Sequence, residues 1–127
     1  MESFKINCVT IDGVEVVNTT PHPITFGVGT ETISVPTSVL VNAKATETLA
    51  KTKAGVDYVK TVFEGTTEGE EVISKILQEY PGAVIVGSIV AAQAYPGKVF
   101  GMTPLPGYER VAPAEKRMNP HKFTTFE

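Results

Sequence analysis

The stretch "FKINCVTIDGVEVVN", residues 4–18, indicates the fold class. Its two runs of β-branched residues meet at Asp12-Gly13, and this dipeptide is the strongest short signal for a β-hairpin turn. A second hairpin is predicted next, because "ITFGV" (24–28) and "ETISV" (31–35) flank Gly29-Thr30. The first third of the sequence therefore predicts antiparallel hairpins.

The middle of the sequence changes from strand to helix. Residues 35–55 are mixed, since their threonines favour strand while their alanines and lysines favour helix, and we expect extended structure. The β-branched and aromatic run "VDYVKTVFEG" (56–65) predicts another strand. In "TEGEEVISKILQEYPG" (67–82), apolar residues recur at helical spacing, and Thr67 with Glu70 is predicted to form a capping box.

The last third predicts one more strand and one short helix. "AVIVGS" (83–88) has the composition of a buried strand, and "SIVAAQAYPG" (88–97) that of a short helix opened by Ser88. Beyond residue 98, four prolines are expected to exclude long regular structure, leaving an ordered loop on the domain or on a neighbouring subunit. These are Pro104, Pro106, Pro113 and Pro120. We expect one α+β domain over residues 1–127, with a mainly antiparallel sheet of hairpins and one long and one short helix.

Composition limits the class of protein. With 127 residues, 42% of them hydrophobic, the chain can bury one core. The longest apolar run, residues 83–94, is too short for a bilayer span, and "MESFKIN" lacks a signal-peptide pattern, so a cytoplasmic protein is expected. Cys8 is the only cysteine, which excludes an internal disulfide; we expect a buried, unreactive thiol. With two histidines and no ligand spacing, no metal site is expected.

Charge is unevenly distributed along the chain. Residues 98–127 hold five cations and three glutamates, so they carry +2 of a net −3 and leave −5 for the first 97 residues. Both arginines, Arg110 and Arg117, lie in that last segment. The guanidinium fork suits phosphate, so these residues indicate either a local anion site or simply solvated charges.

Only one junction in the sequence suggests anion binding. Phosphate-loop, dinucleotide-binding, serine-esterase and zinc-protease motifs are all absent. Gly87 and Ser88 join a strand to a helix start, where free N–H groups favour an anion, and with the two arginines they form a candidate phosphate pocket. Ser88 is interpreted either as a helix cap or as a nucleophile with His22 as base. Three aromatic residues are candidates to stack on a base, or else belong to the core: Tyr95, Phe100 and Tyr108.

His22 stands between two prolines in "TTPHPI", residues 19–24. Pro21 and Pro23 restrict the backbone on both sides and hold the imidazole in one direction. A histidine fixed in this way serves either a structural hydrogen bond or a ligand contact. No acid or second histidine lies nearby in sequence, so a catalytic partner is not evident.

Three stretches carry a resemblance: "VVNTTPHPITF" (16–26), "ETISVPTS" (31–38) and "AVIVGSIVAAQAY" (83–95). They resemble small bacteriophage and prophage proteins with an N-x-T-P-H-x-I strand. Size and layout are also similar to phage sponge proteins that counter the Thoeris defence system. The sequence departs from the pattern with Thr19 in place of leucine, "PTS" in place of P-P-S-G, and a longer proline-rich end, which affects the expected ligand contacts most.

The resemblance implies a homo-oligomer that binds a cyclic ADP-ribose-type nucleotide without cleaving it, with no cofactor and no bound DNA or RNA. The residues predicted to contact the ligand are His22, Gly87, Ser88, Gln93, Tyr95, Tyr108, Arg110 and Arg117. Two alternatives stay open: a nucleotide hydrolase that uses His22 as acid or base, and a phage protein that binds a host protein through its apolar C-terminal loop.

Overall fold

A computed structural model of the chain describes residues 5–112 and 115–127. The first four residues of "MESFKIN" and Pro113 of the proline-rich segment lie outside that range. The elements are β1 (Val9–Ile11), β2 (Val14–Asn18), β3 (Ile24–Val28), β4 (Glu31–Val35), β5 (Ala43–Lys53), β6 (Val56–Gly65), α1 (Thr67–Glu79), β7 (Val84–Val86), α2 (Ile89–Ala94), β8 (Gly101–Pro104) and β9 (Met118–Thr124). The expected α+β class is confirmed. Neither helix of the described chain has the length and apolar character needed to cross a membrane.

Antiparallel hairpins account for most of the strand pairing. β1–β2 and β3–β4 form the two predicted hairpins, and β5–β6 forms a third from the segment expected to be extended. Asp12 and Gly13 turn the first hairpin with φ of 48° and 84°. Ala54 and Gly55 turn the third with φ of 54° and 76°. Paired left-handed residues match the twist of two-residue hairpins, which explains why these dipeptides fix the registers.

A three-stranded sheet, in the order β1-β2-β7, forms the middle layer of the fold. Adjacent residues of β2 enter different cores: Val17 packs with α1 and α2, whereas Val16 packs with a second sheet. Ile85 and Val86 of β7 divide in the same way. β7 pairs in parallel with β2. Because this sheet is covered on both sides, β7 is apolar at every position, as the sequence predicts.

The second sheet, in the order β4-β3-β9-β8, takes two strands from the proline-rich segment. The expectation that prolines exclude long regular structure there is wrong, because β9 runs for seven residues. Pro120 is accommodated where the β8–β9 register shifts between Met102 and Pro104, and bulges are where a strand tolerates a proline. Phe123 lies against Phe26, with ring centroids 6.4 Å apart. Met102, Met118 and Phe123 of the proline-rich segment therefore pack against the protein's own second core.

Backbone hydrogen bonds join the middle sheet to segments next to the second sheet, at the C-terminal ends of β2 and β7. Phe100 donates its N–H to the Ile85 carbonyl and accepts from Gly87 N, each at 2.9 Å. On the other side, Ser38 N donates to the Asn18 carbonyl at 2.8 Å. The chain entering β8 and the chain leaving β4 thus extend the middle sheet, so the layers are connected covalently and by hydrogen bonds.

Tyr95 fastens both helices to the base of the third hairpin. Its ring is 1% exposed, and its hydroxyl donates to the Asn42 carbonyl and accepts from Thr66 N, both at 2.8 Å. Thr66 then caps α1, accepting from Gly69 N at 2.9 Å. The predicted cap at Thr67 is wrong by one residue, because Tyr95 fixes Thr66 in the extended cap conformation. A Cβ on Gly69 would collide with the Tyr95 hydroxyl.

Removing the Tyr95 hydroxyl should destabilise the fold. In Tyr95→Phe, the Thr66 N–H and the Asn42 carbonyl lose their partner in a buried place, and we expect the free energy of unfolding to fall by about 2 kcal/mol. Urea denaturation measures this change. Tyr108→Phe, at an exposed loop position, should stay within about 0.5 kcal/mol of the parent. Equal, small effects in both variants would contradict the role given to Tyr95.

Candidate functional site

Asn18, at the end of β2, organises the loop that follows it. Its side chain is fully buried, and Nδ2 donates to the carbonyls of His22 (2.8 Å) and Val35 (3.0 Å). Oδ1 accepts from Thr20 N at 2.8 Å and lies 2.6 Å from Thr20 Oγ1. Every hydrogen-bonding atom of this amide is used. The direction of the loop after β2 is therefore set by one side chain.

Thr19 ties the same loop to β7. Its N–H and its hydroxyl both donate to the Val86 carbonyl, at 2.9 and 2.8 Å. The segment Asn18–Thr20 is thus buried but fully paired, and within the described chain no buried side-chain nitrogen or oxygen lacks a partner. Held from beneath in this way, Pro21, His22 and Pro23 project outward as an exposed rim.

The rim borders a cleft of about 400 Å³, which we name the TPHP cleft. Residues 20–25 form one wall, and the other lining residues are Ser88, Met102, Lys116 and Met118. Prolines, Ile24 and the two methionines give the cleft an apolar surface, on which a few polar groups converge. A volume in the range of about 300–1,000 Å³ with this mixture is typical of a small-molecule site.

Polar groups in the TPHP cleft favour an anionic ligand. Lys116 supplies a positive charge, its Nζ donating to the Glu109 carbonyl at 3.1 Å, and none of the ten lining residues is a carboxylate. Ser88 Oγ accepts from Ala91 N at 3.1 Å as the N-cap of α2, which leaves its O–H free to donate. The imidazole of His22 makes no hydrogen bond to any residue in the ranges 5–112 and 115–127, so it faces the cleft unengaged.

A wider groove, of about 610 Å³, runs along α1. Its lining includes Glu70 and Glu71 and is otherwise polar, without the apolar wall that buries an organic ligand. Lys98 lies 2.8 Å from Glu70, but both side chains are about half exposed. The TPHP cleft is therefore the stronger candidate.

The two arginines do not enter the TPHP cleft. Arg117 lines a separate cleft of about 270 Å³ with Tyr108, Glu31 and Leu105, and its guanidinium donates to the Lys116 carbonyl at 3.1 Å. Lys116 and Arg117 are consecutive, yet their side chains line different clefts. Arg110 is exposed and lines neither cleft. The single pocket expected from both arginines with Ser88 is thus corrected to two clefts, with Lys116 as the cation beside Ser88.

Three further predicted contacts have other positions. Tyr95 is buried in the helical core, so its ring has no face open to a base. The Gly87 N–H donates to the Phe100 carbonyl and is therefore not free to donate to a phosphate. Gln93 is exposed on α2 and is not among the residues that line either cleft. Of the eight predicted contacts, His22 and Ser88 share the TPHP cleft, and Tyr108 and Arg117 share the smaller one.

Sequence reasoning missed Lys116, Met102 and Met118 as lining residues. The signal was present in "EKRMNP" (115–120), where Lys116 and Met118 alternate with Arg117 as they would in an extended chain. The prolines of this segment obscure that signal, because prolines normally indicate that a strand is absent. Within the described residues, no group of three or more histidine, cysteine or acidic side chains is placed to hold a metal ion.

His121 lies away from both clefts. Its Nε2 is 2.9 Å from Asp12 Oδ2, and both side chains are more than half exposed. This contact joins β9 to the turn of the first hairpin. The two histidines of the chain therefore have separate surroundings and do not form a common site.

Comparison with protein families, with curated proteins and with solved structures finds no match to this chain. The function must therefore be inferred from the residues and geometry of the chain itself.

Replacing the Asn18 amide should disrupt the loop that forms the cleft. Asn18→Asp is nearly isosteric, but it replaces the Nδ2 donor with an oxygen acceptor that faces two carbonyl oxygens. We expect the free energy of unfolding to fall by about 3 kcal/mol. Because burial favours the protonated carboxyl, this loss should grow as pH rises from about 5 to 8. Denaturation at several pH values measures both effects.

Asn119→Asp is the matched control for that substitution. Asn119 Oδ1 accepts from His121 N at 2.9 Å, and a carboxylate accepts equally well. Its free energy of unfolding should change by less than about 0.5 kcal/mol. Similar losses in the two variants would mean that the Asn18 amide does not hold the loop.

Cys8 should react slowly with thiol reagents. The thiol is half-buried, and it lies 3.9 Å from Glu15 Oε2. Burial, and after it the charge and hydrogen bond of Glu15, raise the pKa of Cys8, with a smaller opposing effect from the Val16 backbone. Since the thiolate is the reactive form, alkylation at pH 8 should be slower than for free cysteine. Glu15→Gln should accelerate it, whereas Glu31→Gln should not; equal rates in all three proteins would contradict this account.

Proposed function

We propose that the TPHP cleft binds a small phosphorylated nucleotide and holds it without cleaving it. The observation that supports this function best is the convergence of Lys116, Ser88 and His22 on one apolar cleft of about 400 Å³. Lys116 and the Ser88 hydroxyl suit a phosphate, while the prolines and methionines suit the base and sugar carbons. His22 contributes a planar ring at the rim for stacking or hydrogen bonding.

The arrangement favours capture over hydrolysis. Ser88 Oγ already serves the helix cap, and among residues 5–112 and 115–127 no hydrogen bond joins it to His22. Nor does any described carboxylate orient the imidazole, although an activated nucleophile needs a base that is itself oriented. A hydrolase that uses His22 is therefore the weaker candidate.

The resemblance to phage proteins gives this binding a biological purpose. The lining of the cleft includes "TPHPIT" (20–25) and Ser88, which belong to the stretches that carry the resemblance. On this basis we propose a cyclic ADP-ribose-type signal as ligand. By sequestering it in the host cytoplasm, the protein would act as a phage anti-defence factor. The host-protein alternative is weakened because Met102, Met118 and Phe123 pack against the second core.

A nucleotide that binds the folded state should raise the melting temperature. At 100 times its dissociation constant it adds about 2.7 kcal/mol of stability, and a panel of ADP-ribose, its cyclic isomers and cyclic nucleotides tests this in a thermal-shift assay. Lys116→Gln should weaken binding of the responding nucleotide at least tenfold, or about 1.4 kcal/mol. Chromatography of the denatured complex should recover the nucleotide intact.

Two variants act as controls for the cleft. Lys122→Gln removes an exposed charge that lines neither cleft and should leave affinity unchanged. Arg117→Lys should also leave it unchanged, because Arg117 lines the other cleft. Loss of binding in Arg117→Lys with none in Lys116→Gln would move the site to the smaller cleft. Recovery of a cleaved product would favour the hydrolase, and no response across the panel would contradict nucleotide binding.

A further inference from the structure

The hairpin β5–β6 is a two-stranded ribbon that stands apart from the other sheets. β5 has 11 residues and β6 has 10, so the ribbon extends roughly 35 Å at about 3.3 Å per residue. Its base packs near α2 through Gly65, next to the Tyr95 ring. Almost all other residues of the ribbon are exposed on both faces, and a lone two-stranded ribbon is only marginally stable in water.

The register assigns each ribbon residue to one of two faces. Directly paired residues share a face and alternate along the strand, except that the irregularity between Leu49 and Lys51 shifts β5 by one residue. The contacts agree with this assignment: Lys51 lies over the Tyr58 ring at 5.2 Å on one face. On the other face, Thr52 donates to Asp57 at 2.8 Å.

All four lysines of the ribbon lie on one of the two faces. The face that contains Tyr58, which we name the basic face, carries four lysines and one glutamate, a net +3; they are Lys44, Lys51, Lys53, Lys60 and Glu64. The face that contains Val59, the acidic face, carries Glu47 and Asp57 and no lysine, a net −2. The ribbon is therefore electrostatically complementary to itself.

Apolar side chains are exposed on both faces. Val56 and Val62 on the basic face are 50% and 52% exposed, and Leu49 on the acidic face is 58% exposed. A partner that covered only one face would leave the other apolar and wet. Copies of the ribbon stacked repeatedly, each basic face on the next acidic face, would cover the apolar residues of both faces and pair the charges together.

We propose that the β5–β6 ribbon is the assembly arm of the protein, with the basic face of one copy seated on the acidic face of a second copy. A contact between unlike faces is heterologous, because a two-fold axis would pair each face with itself. Such contacts repeat until a ring closes, or continue as an open chain. Assembly by this arm does not depend on the nucleotide proposed above.

Charge reversal tests the arm in the full-length protein. Lys51→Glu with Lys60→Glu makes both faces acidic, and Glu47→Lys with Asp57→Lys makes both faces basic. Sedimentation measures the mass of each protein at a concentration where the parent is larger than a dimer. Each double variant alone should be a monomer of 13.6 kDa. An equimolar mixture of the two should recover the parent's mass, because each now complements the other. Recovery also shows that both variants are folded.

Glu71→Lys with Glu79→Lys is the matched control, since it changes the net charge as much as the second variant but lies on exposed positions of α1. It should keep the parent's mass. A monomeric parent, or variants that assemble like the parent, would overturn the proposal. A monomeric parent that binds duplex DNA through Lys51 and Lys60 would assign the basic face to nucleic acid instead. A mixture that stays monomeric would contradict contact between unlike faces.

Discussion

The buried amide of Asn18 is the interaction on which the cleft and the packing of both sheets depend. It ends β2, and it holds the carbonyls of His22 and Val35 and the N–H of Thr20 at once. These partners belong to the outgoing loop and to the far end of β4, so one side chain closes the hairpin β3–β4 onto the middle sheet. The prolines limit the loop locally, but the amide decides where the loop goes. Rigidity around His22 therefore has two sources, one in the backbone and one in the core.

Neighbouring residues in the sequence repeatedly contribute to different cores or clefts of the structure. Val16 and Val17 serve different cores, and Lys116 and Arg117 serve different clefts. For the two valines of β2, the pleated backbone turns adjacent side chains to opposite sides. The two cations just before β9 are likewise divided between two clefts. A charge cluster in the sequence is thus not a charge cluster in space. The cluster of arginine and lysine in the sequence therefore predicts a larger phosphate site than the structure has. The side to which each side chain points determines which cation lies at the cleft.

Local signals predicted the local structure well. The turn dipeptide Asp12-Gly13, the apolar spacing of α1 and the cap at Ser88 each act within a few residues, and each predicted element exists. What could not be predicted depends on partners far along the chain. Tyr95 is buried because its hydroxyl reaches Asn42 and Thr66, 53 and 29 residues away. Single-sequence periodicity contains no information about such pairs.

The position of β9 inside the second sheet has a consequence for how the chain folds during synthesis. β9 lies between β3 and β8, although about 90 residues separate it from β3 in sequence. Until the ribosome has released the chain through Thr124, β3 keeps one unpaired edge and Phe26 lacks the aromatic ring that packs against it. An open edge beside uncovered apolar surface is a template for pairing with other nascent chains. The second sheet therefore completes its folding only after this segment has been translated, and the incompletely synthesised chain exposes a strand edge that the complete chain covers.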